Sequence, residues 1–128
     1  MLRVLPLLVL TCVFIARAAA APLAPVARAE IDALMSRLEG SGCDFYRNGT
    51  WHTAAEAKSH LLRKLKYLED RGAVQSTEQF IELAASGSSL SGQPYLVRCG
   101  GDAPLRSQTW LRSQLRVIRS SERGRGAP

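Results

Sequence analysis

The chain has 128 residues, 46% of them hydrophobic, and a formal charge of +6. That length fits one small domain. The basic surplus is uneven: from Ala103 onward Arg106, Arg112, Arg116, Arg119, Arg123 and Arg125 face Glu122 alone, so the body is near neutral and nucleic acid is not an expected partner.

The chain starts with a short basic Met1-Leu2-Arg3, followed by an apolar run over residues 4–15 and an alanine-rich stretch over residues 16–21 offering Ala-x-Ala sites. This is the pattern of a secretory signal peptide, with cleavage expected after Ala20; the apolar run is too short for a membrane span, and an uncleaved anchor is the alternative. Cys12 follows Thr11 inside the apolar run, which argues against a lipid-attachment cysteine. The expected boundaries are therefore a signal peptide over 1–20, a single domain over 21–119 and a disordered basic tail over 120–128. The mature chain retains Cys43 and Cys99. A lone pair in an exported protein is expected to form a disulfide, and closing a loop of that length stabilises by about 4 kcal/mol in the chain-entropy model. Two free buried thiols are the rival reading.

Two prolines in four positions make 21–25 an extended lead. Residues 26–39 carry Ile31, Leu34, Met35 and Leu38 at helical spacing, and Gly40-Ser41-Gly42 ends that helix. Cys43 and Phe45 alternate with Asp44 and Tyr46 as in a strand. Asn48-Gly49 then suits a two-residue hairpin loop, because both residues accept positive φ. Trp51 is expected against the core. Thr53-Ala54-Ala55-Glu56 reads as a capping box, with Thr53 accepting from the Glu56 amide and Glu56 reaching back to Thr53. The helix it opens runs to Gly72, with Leu61, Leu65 and Leu68 on one side and Glu56, His60, Lys64, Tyr67 and Arg71 beside them. Ser76 and Gln79 repeat the capping pattern before a short helix that turns Phe80, Ile81 and Ala84 inward. A small-residue loop over 86–92 leads to a strand over 94–99, ended by Gly100-Gly101. The last helix, over 107–119, has Leu111, Leu115 and Ile118 as its core stripe and Arg112, Arg116, Arg119 and Arg123 on the opposite flank. The order α-β-β-α-α-β-α predicts an α+β fold: a small three-stranded antiparallel sheet with about four helices and one disulfide.

Candidate chemistry is sparse. Neither His52 nor His60 lies in a nucleophile motif, so no catalytic residues are expected. His52, Glu56 and His60 are spaced by four, but the Thr53 cap leaves His52 outside the helix, so no metal site and no cofactor are expected. Glu56, His60 and Lys64 form an i, i+4 ladder that reads either as a solvated helix face or as one wall of a cleft. In the second reading the cleft is completed by Arg47 and the hydroxyls of Ser88, Ser89 and Ser91, and suits a carboxylate or phosphate. The serine loop reads equally well as a plain connector. The arginine flank is either solvated or a docking surface for an anionic membrane or an acidic envelope protein.

Arg47-Asn48-Gly49, His60-Leu61, Lys64-Leu65, Phe80-Ile81 and the run from Ser88 to Tyr95 together resemble the YfeK-like family of small exported bacterial proteins. The resemblance covers roughly residues 30–99. It implies an exported, periplasmic or secreted location and carries over no activity. The expected function is an exported, non-catalytic binding or interaction module, with a small-anion binder using the Arg47, His60 and Lys64 cleft as the alternative and an enzyme third.

Overall fold

The structure, a computed structural model, describes residues 12–14 and 22–126. The expected signal peptide, apart from residues 12–14, and the last two residues lie outside the described residues. Eight elements follow in order: α1 (Pro25–Glu39), β1 (Asp44–Arg47), β2 (Thr50–His52), α2 (Ala54–Asp70), α3 (Thr77–Ala84), β3 (Leu96–Arg98), β4 (Leu105–Arg106) and α4 (Ser107–Gly126).

Pro25 is the first residue of α1 rather than the end of an extended lead. A first-turn amide has no intrahelical acceptor, so proline costs nothing there. The α1 face formed by Ala27, Ile31, Leu34, Met35 and Leu38 is buried, as the 3.6-residue period requires. The β1–β2 hairpin turns on Asn48 at φ 48° and Gly49 at φ 87°, the left-handed pair of a type I′ turn that matches strand twist. α2 ends where Gly72, at φ 61°, lets its own amide reach Glu69 O (2.9 Å) and that of Ala73 reach Leu68 O (3.0 Å). That pair of bonds is the Schellman closure.

The sheet has four antiparallel strands in the order β2-β1-β3-β4, one more than expected. The added strand is β4, whose Leu105 and Arg106 pair with Val97 and Leu96. Two residues are too few to show an alternation, so its pairing is visible only in space. α4 also exceeds its expected length: it runs to Gly126, through most of the segment expected to be disordered. Propagating a helix already nucleated on a packed face fixes one residue per added hydrogen bond, so even a polar, glycine-containing stretch extends it.

The core lies between the sheet and the helices. Phe45 and Val97 from adjacent strands meet Ile31, Leu34, Phe80, Ile81 and Leu111 in one buried cluster, and Phe45 meets Trp110 edge-on with ring centroids 5.8 Å apart. Trp51 departs from expectation. It pairs with Tyr46, so it falls on the sheet face opposite Phe45. There its ring packs edge-on against Tyr46 at 5.3 Å and under the Arg98 guanidinium at 3.9 Å.

Cys43 and Cys99 are bonded, with Cα atoms 4.3 Å apart. They stand one step beyond the Asp44–Arg98 pair, so the bridge closes a chain segment holding β1, β2, α2, α3 and β3. No described helix is long and apolar enough to cross a membrane.

Candidate functional site

Arg47 ends β1 and enters the hairpin turn, while Thr53 caps α2 beside it. The Thr53 hydroxyl accepts from the Glu56 amide at 3.2 Å. The reciprocal half of the capping box is replaced by a hydrogen bond: Glu56 Oε2 lies 3.0 Å from Nδ1 of His52, the last residue of β2. One and two turns further along α2 stand His60 and Lys64.

Both reach Tyr95, just before β3. Lys64 Nζ donates to Tyr95 Oη and to the carbonyl of Gly87, each at 3.2 Å. His60 Nε2 lies 3.2 Å from the same Oη. An ammonium only donates, so the phenol accepts from Lys64 and turns its own O–H toward His60. In that arrangement His60 Nε2 accepts, which requires a neutral ring with its proton on Nδ1. Electrostatics agree. Burial, reinforced by the charges of Arg47 and Lys64, pushes the His60 imidazole down to about 4. Burial first, then Arg47, lowers the Lys64 ammonium, and burial raises the Tyr95 phenol.

The His60 shift has a measurable consequence. The unfolded chain takes up this proton near the ordinary 6.5 while the folded chain resists it down to about 4. The stability associated with the neutral ring is therefore complete above about pH 6.5 and declines as the pH falls toward 4. Denaturant midpoints measured between pH 7 and 5 should fall in the wild type and flatten in His60→Gln.

A cavity of about 30 Å³ opens here, lined on its apolar side by Phe45, Ala57 and Leu61 and on its polar side by Arg47, His52, His60 and Tyr95. That volume holds one or two water-sized groups. A more open hollow of about 430 Å³ adjoins it, sharing Arg47, His52 and Glu56 and adding Ser59 and Arg63. Arg47 is half-buried, and its side chain makes no hydrogen bond or ion pair among the described residues.

A model of a family of unknown function, DUF5329, matches residues 25–119. The chain belongs to that family. It is also similar to the uncharacterized protein YfeK of Salmonella typhimurium, with 41% identity over 68 residues, 52% of this chain and 55% of the relative. The chain thus spans about half the length of the curated relative it matches. No solved structure matches. The family match, like the expected resemblance, includes Arg47, His60, Lys64 and both bridged cysteines.

Within this family member, the expected cleft is assembled only in part. Arg47 and His60 line the cavity, and Lys64 joins it through Tyr95. The serines do not line it. Ser88 is buried and spends its Oγ on the amides of Leu90 (3.2 Å) and Ser91 (3.3 Å). Ser91 donates to Asn48 Oδ1 at 2.8 Å, bracing the loop against the hairpin turn, and Ser89 is exposed. The connector reading of that loop is the one the geometry follows. Sequence reasoning missed Tyr95 as a site residue, because alternation marked it only as core. It also set His52 aside as lying outside α2, although a strand end beside a helix start places it within reach of Glu56.

The four arginines of the α4 flank do not act together. Arg112 and Arg116 are exposed, and Arg123 reaches only Ser120 Oγ at 3.4 Å. Arg119 is withdrawn from any docking role: it pairs with Glu30 at 2.8 Å and Glu78 at 2.6 Å. It sits at the edge of the flank, where a long side chain reaches α1 and α3. Among the described residues no group of three or more His, Cys, Asp or Glu side chains is placed to hold a metal ion.

Proposed function

We propose that the protein is an exported, non-catalytic binding module that receives a small anionic group in the cavity beside Arg47. The observation that carries this reading is the unpartnered, half-buried Arg47 guanidinium, close enough to His60, Lys64 and Tyr95 to perturb all three. A partly buried guanidinium without a carboxylate partner is an incomplete pair that an incoming anion completes. Glu56, the acid in the lining, is already engaged by His52. Export is supported by the leader-like first twenty residues and by a disulfide, a bond that persists in oxidising compartments.

The test is a thermal-shift screen of the purified protein with acetate, phosphate and sulfate. A bound anion at a hundred times its dissociation constant adds about 2.7 kcal/mol of stability. The stabilisation should vanish in Arg47→Ala and weaken in Lys64→Ala. If both variants respond as the wild type does, the cavity is not the binding site.

A second reading rests on Arg112, Arg116 and Arg123, which α4 leaves exposed on one side. They suit an acidic envelope protein or an anionic membrane surface. Such docking weakens steeply with ionic strength, whereas an anion held in the cavity is screened less.

A further inference from the structure

Resting on the anion-site reading, we propose that the group received is a monocarboxylate carried on a small apolar substituent, either a free short-chain acid or the carboxyl terminus of a peptide ending in a small residue. Three features of the cavity point to this class.

The first is the donor set. Arg47 offers a planar fork of N–H groups that matches a carboxylate edge with two parallel bonds. Lys64, the point charge that would suit a phosphate, is committed to Gly87 O and Tyr95 Oη. His60 brings a neutral ring.

The second is charge. Arg47 and Lys64 carry positive charge with no carboxylate partner among the described residues, and Arg63 adds to their field, against Glu56 as the acid in the lining. The lining therefore attracts an anion.

The third is size and polarity. The cavity of about 30 Å³ abuts Phe45, Ala57 and Leu61. That apolar wall suits a small hydrocarbon substituent. The adjoining hollow, which shares Arg47 and His52 and is bordered by Ser59 and Arg63, leaves room for the polar body of a longer ligand.

The test is a thermal-shift series at constant ionic strength, backed by NMR of the Arg47 and His60 side-chain nitrogens. The probes are sodium propionate, inorganic phosphate, acetyl-glycyl-alanine and its carboxamide. Propionate and the free-acid peptide should raise the midpoint and shift both side chains. Phosphate and the carboxamide should not. Arg47→Lys, which keeps the charge and loses the fork, should weaken propionate by at least about tenfold. A peptide acid that binds tighter than propionate identifies a chain terminus as the source, and equal affinity identifies the free acid. Phosphate that binds as well as propionate, still through Arg47, overturns the carboxylate class and leaves the anion site standing. No response to any probe, or responses unchanged in Arg47→Lys and Arg47→Ala, overturns the site itself.

Discussion

Replacing Cys43 and Cys99 together by alanine should lower the thermal midpoint by roughly 15–30 °C. The bridge spans 56 positions, and releasing that loop returns about 4 kcal/mol of chain entropy to the unfolded state. One kcal/mol moves the midpoint of a domain this size by about 4–8 °C. Domains commonly have only about 5–15 kcal/mol in total, so the variant should remain folded near room temperature and be lost well before the wild type. Circular dichroism melts of the double variant and of the reduced wild type should agree. A shift below about 5 °C in both would show that the unfolded chain gains little freedom when the bridge is removed.

The second large effect belongs to Glu30. Its carboxylate is 5% exposed, yet each oxygen is satisfied. Thr77 Oγ1 donates to Oε1 at 2.7 Å, and Arg119 donates from Nε to Oε2 at 2.8 Å and from Nη2 to Oε1 at 3.0 Å. This three-way contact joins α1, α3 and α4. Arg119→Ala would leave a buried charge with one hydroxyl. Breaking a buried pair costs about 3–5 kcal/mol, and because Arg119 is partly solvated a smaller loss, about 2–3 kcal/mol, is expected. Replacing both partners by apolar residues, Glu30→Met with Arg119→Leu, should recover most of the loss. The pH dependence separates the two cases. The hydrogen bonds from Arg119 hold the Glu30 and Glu78 carboxyls below the usual range. The unfolded state therefore takes up these protons first. The stabilisation is complete above the unfolded carboxylate value, about 4.3–4.5, and is lost as the pH falls through the folded values. In the double variant the Glu30 part of that acid sensitivity should be absent and the Glu78 part, which also depends on Arg119, should be weakened.

How much of this was legible beforehand differs by element. Asn48-Gly49, Thr53 and Gly72 state their roles locally, because a turn or a cap is decided by residues within a few positions of each other. The disulfide was legible from compartment and number. β4 was not, since its evidence is the register with β3. Helical angle alone puts Arg119 on a flank that reads as solvated or as a docking surface. What distinguishes it from Arg116 is Glu30, 89 positions away in sequence. The candidate site shows the same division. Arg47, His60 and Lys64 were legible as charged groups around one turn and one helix face. Tyr95, which ties two of them together, was not, because its alternation pattern describes where the ring goes and says nothing about the hydroxyl.

The sheet ends on β2 and β4, strands of three and two residues. So short a rim presents few open backbone groups to another molecule of the same kind. Concentrated samples should therefore resist strand-to-strand polymerisation, even while the bare outer face of the sheet, with Tyr46 and Trp51, remains in contact with solvent.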